Sequence, residues 1–294
     1  MQTLRRAAAD WAPGPVSRSA VLTAGPLRAF AGLLDQPAPA TDTGDPLPPG
    51  WHWFSFLDHP PTAELGADGH PAEGHFLPPV PGRRRMFAGG RLRGHAPLRV
   101  GDTVTRTTAL ARAEVKEGRT GELLFVTVRS EFHRGSQLLL TEEQDLVYRS
   151  APGATPAPPS PPAPSEVVPL DPDDTAVDLA PDPVLLFRFS ALTANAHRIH
   201  YDLPYATTVE GHPGLLVHGP LLALLLLEVP RRALPDRPVA EFSYRLTRPA
   251  YAGTPVRATG TAEGATWALS AAAAGADATI TGTAVLADPP GGPS

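Results

Sequence analysis

The run Phe189-Ser190-Ala191-Leu192-Thr193-Ala194-Asn195-Ala196-His197-Arg198-Ile199-His200-Tyr201-Asp202 gathers the groups best able to move a proton or hold a polar ligand. It contains the chain's only asparagine, Asn195, and two of its ten histidines. Short polar side chains set between apolar stretches are costly to order unless they line a site. His200 is the general acid/base candidate, because an imidazole exchanges a proton near neutral pH; the competing reading is a satisfied structural histidine. Asn195, five residues earlier, only donates and accepts hydrogen bonds. Converging with His200, it would hold a water or a carbonyl while the imidazole transfers the proton. Asp202 either orients that imidazole or caps the turn before Pro204, and capping is the better fit. Arg198 either binds a substrate carboxylate through its guanidinium fork or faces solvent. His197 and His200 have the spacing of a metal pair, with Glu210 and His212 nearby. No third ligand is clearly placed, and no metal is expected.

A second element of chemistry follows at His218-Gly219-Pro220, just before the unbroken apolar run Leu221–Leu227. Pro220 suits a first helical turn, where no backbone donor is needed. The segment is apolar on every side until Glu228, which predicts a helix over Gly219–Leu234 buried all round. Free backbone N–H groups and the positive dipole end project from a helix start. Such a terminus can stabilise the enolate-like oxygen of a thioester as charge develops. Glycine there admits a ligand close to the backbone, although a glycine that only permits a tight turn would look the same. The helix has no acid in its first turns, hence no helix-borne carboxylate for thioester hydrolysis.

Composition narrows the alternatives. The net charge of −5 supplies no basic field for nucleic acid. The absence of cysteine excludes disulfides, a thiol nucleophile and thiolate metal sites. No G-x-S-x-G, H-E-x-x-H, Walker loop or G-x-G-x-x-G occurs. The longest apolar stretch, Leu221–Leu227, is too short to cross a bilayer, and no apolar signal segment follows Arg5 and Arg6, so a cytoplasmic protein is expected. The clusters Arg83-Arg84-Arg85 and Arg231-Arg232 are either solvated surface or partners for a phosphorylated or carboxylated ligand.

These groups need a frame. The 294 residues allow one large domain or two of ordinary size, and 42% hydrophobic content supports a core. A Pro/Ala-rich linker is expected over 150–182, dividing a first domain, 1–149, from a second, 183–288. The halves repeat weakly: Arg93, Pro97, Gly101 and Val104 recur as Arg245, Pro249, Gly253 and Val256 at a constant offset of 152. In both places a strand-like run ends in proline, a short connection carries glycine, and another strand-like run begins. The first half predicts strands at Thr103–Val115, Leu123–Phe132 and Gln137–Tyr148 after a helical lead-in, Met1–Asp35, and a largely irregular segment, Asp45–Gly94. Its own helix is expected to be short or degraded, near Pro81–Ala88. The second predicts strands at Pro183–Phe189, Ala240–Arg248, Thr254–Glu263, Thr266–Ala273 and Ala278–Leu286, around the Gly219 helix.

Together the motifs resemble a known family. The run Phe189–Asp202, followed by Glu210-Gly-His-Pro-Gly-Leu-Leu-Val-His-Gly-Pro-Leu221, resembles the MaoC-like hydratases. The nearest branch is that of mesaconyl-C4-CoA hydratase and hydroxyacyl-thioester dehydratase. The first half is similar to that branch at Leu47-Pro-Pro-Gly-Trp-His-Trp53, Phe76-Leu-Pro-Pro-Val-Pro81, Arg84-Arg-Met-Phe-Ala-Gly-Gly90 and Glu142-Glu-Gln-Asp-Leu-Val-Tyr148. The resemblance runs from about Asp45 to Val285, outside the linker.

It implies an α+β double hot-dog, two antiparallel sheets each wrapped around a helix, with the first helix degenerate. It also implies reversible addition of water to a 2-enoyl thioester without a cofactor. The wider family carries Asp-x-Asn-Pro-x-His where this chain has Asn195-Ala-His197-Arg198-Ile199-His200. His200 thus falls on the catalytic histidine, and Asn195 on the catalytic aspartate, a departure that leaves proton transfer to His200 and water-holding to Asn195. Gly219 falls on the glycine whose N–H binds the thioester carbonyl. His197, Arg198, Tyr201 and His218 are expected at the substrate. The implied substrate is an acyl-CoA or acyl-carrier thioester, branched or dicarboxylic as in mesaconyl-C4-CoA, and the implied assembly is a homodimer. The alternatives are a dehydratase or cyclising enzyme on a carrier-bound intermediate of secondary metabolism, and a non-catalytic thioester-binding subunit.

Overall fold

The structure is a computed structural model and describes residues 4–80, 84–118, 121–149 and 175–288. In the first half, helix α1 (Leu4–Ala9), strand β1 (Val16–Val21) and helix α2 (Ala24–Leu33) precede 3₁₀ turns at Trp51–Phe54 and Thr62–Glu64. Strands β2 (Arg84–Gly94), β3 (Thr103–Gly118), β4 (Gly121–Arg134) and β5 (Gln137–Arg149) follow. The second half runs β6 (Ala176–Leu179), α3 (Pro183–Leu192), a 3₁₀ turn at Arg198–His200, α4 (Leu203–Thr208), α5 (Gly219–Ala233), β7 (Val239–Leu246), β8 (Val256–Glu263), β9 (Thr266–Ala273) and β10 (Ile280–Leu286).

The strands form one antiparallel sheet in the order β1-β3-β4-β5-β2-β7-β10-β9-β8-β6. Read from the centre outward, β2-β5-β4-β3-β1 and β7-β10-β9-β8-β6 are the same path, so the weak repeat in sequence is a repeat in topology. Gly101 (φ +92°) and Gly253 (φ +83°) both turn the chain in the left-handed region between equivalent strands. The halves join where β2 pairs with β7, Gly90 opposite Tyr244 and Leu92 opposite Phe242.

Helix α5 is the axis of the second half. Leu221–Leu227 are buried without exception, so every face of these turns meets protein, as the all-round apolar sequence requires. The helix packs against β6 to β10. The first half covers it with an aromatic cluster in which Phe30 of α2 meets Trp51, Phe54 and Phe189 at ring separations of 4.9, 4.8 and 6.2 Å. Gly50 sits so close that an added Cβ would stand 2.7 Å from Leu224. At the far end, buried Glu228 holds Arg231, Arg232 and Gln36. That arginine pair therefore serves the helix and is no ligand site.

Four expectations are corrected. Pro183–Phe189 is helical: Asp182 caps the helix by accepting Leu185 N–H at 2.7 Å, and Pro183 opens the first turn. A short apolar run has no period by which strand and helix separate. The lead-in Met1–Asp35 is interrupted by β1. The first half's short helical piece lies at Trp51–Phe54, whereas the described part of Pro81–Ala88 is strand β2. Of the expected linker, residues 150–174 lie outside the described residues, and Ala176–Leu179 pairs with β8 as a strand.

Candidate active site

Each polar residue of the 189–202 run is held by local structure. Helix α3 ends at Leu192, and Ala194 takes a positive φ of 50°. Asn195 Oδ1 then accepts the His197 N–H at 3.0 Å, an Asx-type turn that swings the chain into the 3₁₀ turn. Asp202 caps α4 by accepting Tyr205 N–H at 3.0 Å, and its other oxygen takes the Arg198 side chain at 2.7 and 2.9 Å. The capping role, not imidazole orientation, is the one it performs.

His200 comes to rest buried beside the mouth of α5. Its Nδ1 donates to Leu216 O at 2.9 Å, which fixes the tautomer and leaves Nε2 with a free lone pair. Its ring stacks on His218, centroids 3.6 Å apart and planes 18° apart. His218 is the residue immediately before Gly219, so the proton-transfer group and the helix mouth are adjacent. Gly219 N–H meets no acceptor among the described residues. An added Cβ would stand 2.9 Å from Phe87 and 3.1 Å from Leu246, so a larger residue would have to displace those side chains.

Burial governs the charge state. It pushes His200 down to about 4, opposed by the Leu216 carbonyl and reinforced by His70, His212 and Arg85. Burial and the neighbouring charges of His70, His200 and Arg85 take His197 down to about 2. His218 is pushed well below its ordinary range by burial, with His200 and His197 adding to the effect. Its Nε2 shares a 2.8 Å hydrogen bond with Ser190 Oγ, and its Nδ1 has no partner among the described residues. The site is thus a row of neutral imidazoles, which suits a base waiting for a proton.

The expected residues do not all converge. Arg198 is committed to structure: besides Asp202 it binds Ala67 O at 3.0 Å and lies over the Tyr205 ring at 4.0 Å. Tyr201 gives its hydroxyl to Ala196 O at 2.9 Å. Asn195 and Tyr201 line a shallow depression with Phe187, Ser190 and Ala191. A larger cleft, about 410 Å³, lies elsewhere, and residues that sequence reasoning did not single out contribute to it: Asp68, His70 and Tyr205, beside Arg84, Arg85 and Glu210.

The first half reaches this cleft through the loop 66–72. Arg198 N–H donates to Asp68 O at 2.9 Å, and Gly69 (φ +88°) lies against Ala196 O, where an added Cβ would come within 1.9 Å. Asp68 Oδ2 accepts the His70 ring at 3.2 Å, and the His70 ring lies 4.1 Å from that of His197. Burial raises the Asp68 carboxyl, but the His70 hydrogen bonds overcome it and hold the group at about 2. His197 and His200, whose spacing allowed a metal pair, lie with ring centroids 5.6 Å apart; Asp68, His70 and His197 bring ligand atoms within 4.8 Å of one another. The planes of the His70 and His197 rings are tilted 39° to each other.

Two halves that repeat one strand path and join through β2 and β7, with a buried apolar helix in the second, define the double hot-dog class of fold. A solved Mycobacterium tuberculosis protein described as having a double hot-dog fold matches 94% of the chain and 96% of its own, at TM-score 0.53 and 15% identity. The MaoC-like dehydratase of Phytophthora capsici matches 94% and 96% at TM-score 0.66 and 14% identity. In sequence, the mesaconyl-C(4)-CoA hydratase of Chloroflexus aurantiacus is 48% identical over 231 residues, 78% of this chain and 80% of that protein. The hydroxyacyl-thioester dehydratase type 2 family matches residues 50–252, and the chain belongs to it. It is an enzyme that adds water to, or removes it from, an acyl thioester. No described helix is long and apolar enough to cross a membrane.

With His200 as the expected base, its depressed pKa sets an expected pH dependence. A base must be neutral to act, and a pKa lowered to about 4 keeps it neutral above that pH. The kcat/KM of hydration is expected to stay level from neutrality down to about pH 5 and to fall as pH drops through about 4. An acid limb centred at about 6.5, the value of a solvated imidazole, would contradict the buried site.

Proposed function

We propose that this enzyme hydrates, reversibly, a 2-enoyl-CoA whose β-carbon bears a carboxylate, as in mesaconyl-C4-CoA, with His200 and Gly219 at its centre. His200 Nε2 takes a proton from water as the oxygen adds to the β-carbon. The double-bond electrons move onto the thioester oxygen, which Gly219 N–H receives, and the proton returns to the α-carbon. A positioned base supplies about 10²–10⁴-fold, and one oxyanion donor about 3 kcal/mol. Asn195 acts by shaping the turn that carries His197 and His200. His197 and His218 wall the imidazole row, while Arg198 and Tyr201 hold the loop and rim.

Arg85 carries the dicarboxylic reading. It lines the cleft, has no ion-pair partner among the described residues, and lies close enough that its charge lowers His70, His197 and His200. Neighbouring charges are already matched, Arg84 to Glu210 at 3.7 Å and Asp68 to His70. Among the described residues of the cleft, Arg85 is the cation left without an ion-pair partner, available to a β-carboxylate. Neutralising that carboxylate also makes the β-carbon a better target for water. The 48% identity to a mesaconyl-C(4)-CoA hydratase supports the same substrate. A CoA thioester is too charged to cross a bilayer, which supports a cytoplasmic enzyme. An uncovered edge at β1 supports a homodimer, to be checked by sedimentation.

Arg85→Gln is expected to lower kcat/KM for mesaconyl-C4-CoA by about 10–100-fold, the worth of one charge-assisted hydrogen bond at roughly 1.5–3 kcal/mol. Neutral crotonyl-CoA is expected to lose less than about threefold, since it lacks the charged group. Equal losses on both thioesters would reject the dicarboxylic reading. Turnover of acyl-carrier thioesters alone would favour a carrier-bound substrate, and tight binding with no turnover a non-catalytic subunit.

A further inference from the structure

Asp68 and His70 lie outside the motif, yet the fold seals them against it. Gly69 abuts Ala196 O, and Arg198 holds the loop by its backbone N–H to Asp68 O and its guanidinium to Ala67 O. Within the loop, Asp68 Oδ1 takes the His70 backbone N–H at 3.0 Å and Oδ2 takes the ring Nδ1–H at 3.2 Å. A carboxylate only accepts, so His70 Nε2 is left as an acceptor, and no partner meets it among the described residues. The His70 side chain is 16% exposed and forms part of the cleft wall. From it the imidazoles run inward as His70, His197, His200 and His218 at centroid separations of 4.1, 5.6 and 3.6 Å. Asn195, by contrast, has spent its carbonyl oxygen on His197 N–H and opens on the other depression.

We propose that Asp68 and His70 form a second catalytic pair, donated by the first half: His70 Nε2 accepts one hydrogen of the attacking water while His200 Nε2 removes the other. The inference rests on the hydratase reading above. One water O–H bond breaks, its proton passing to His200, and the new C–O bond forms at the β-carbon. The π electrons move to the thioester oxygen, and the same proton then returns from His200 to the α-carbon. His70 keeps its protonation state throughout and ends bonded to the product hydroxyl. Asp68 acts through His70, fixing its tautomer and the direction of Nε2.

The test is hydration of mesaconyl-C4-CoA and crotonyl-CoA by purified protein, followed by loss of enoyl absorbance. His70→Ala is expected to lower kcat by about 10–100-fold with KM changed less than about threefold, and to regain rate on addition of free imidazole. Asp68→Asn is expected to lower kcat by about tenfold, the ring being free to turn. Should His70→Ala fail to fold, Asp68→Asn with the parent's melting temperature gives the same reading. A kcat within about threefold of the parent, a loss in KM alone, or no imidazole rescue would overturn the pair. So would parent activity lost to a chelator and restored by zinc, which would make Asp68, His70 and His197 a metal site. A parent that turns over neither thioester sinks the hydratase reading itself, and the pair with it.

Discussion

His200→Ala is expected to lower kcat for thioester hydration by about 10²–10⁴-fold, the contribution of a positioned base. Three features concentrate the chemistry on this ring. Its Nδ1–H is tied to Leu216 O, so Nε2 alone is free. Burial keeps it neutral down to about pH 4. The stack on His218 places it next to Gly219 and the start of α5. Removing the ring also leaves His218 without its stacking partner, a loss of about 0.5–1.5 kcal/mol. That would shift the melting temperature by a few degrees at most, about 2–4 °C per kcal/mol in a chain this long. The measurement is therefore kcat on protein whose melting temperature is known, with His200→Gln as the milder replacement. Activity within about tenfold of the parent would remove His200 from the base role.

The second half was largely legible in the residues themselves. An apolar run with proline in its first turn and no polar face until Glu228 has one stable solution, a helix buried all round, and α5 is that helix to within a residue. The meander β3 to β5 was legible because alternation and glycine turns coincide. The repeat at offset 152 proved to mark the equivalent turns at Gly101 and Gly253. What escaped reading was whatever depends on tertiary approach. Asp68-Gly69-His70 lies in a proline- and glycine-rich segment with no period, and nothing local reveals that it meets Ala196 and Arg198 more than a hundred residues on. The only local signal was a glycine between two titratable residues. Arg198 was read as free to bind a ligand because its partners, Ala67 and Asp202, are set by the folded loop. Pro183–Phe189 was misread because seven apolar-rich residues fit a strand or a helix equally, and the Asp182 cap decided it.

That hidden contact supplies the second large effect. Gly69→Ala is expected to lower both stability and kcat, although the new methyl touches neither substrate nor base. At φ +88° a side chain costs about 1–2 kcal/mol by itself. The added Cβ would also stand 1.9 Å from Ala196 O and 2.8 Å from its carbonyl carbon. Both are backbone atoms that no side-chain rotation moves aside, so the loop must withdraw from the motif. Withdrawal breaks the Arg198 N–H to Asp68 O bond and carries His70 away from His197. A displacement of about 1 Å at a catalytic group suffices for roughly a 10²-fold loss of kcat. Gly214→Ala is the control: it lies close in sequence to His218, its φ is not positive, and an added Cβ meets nothing within 4 Å. It is expected to leave kcat and melting temperature at parental values. If Gly69→Ala matched Gly214→Ala in both measurements, loop 66–72 would have no hold on the motif, and the cleft would have to be assigned to the second half alone.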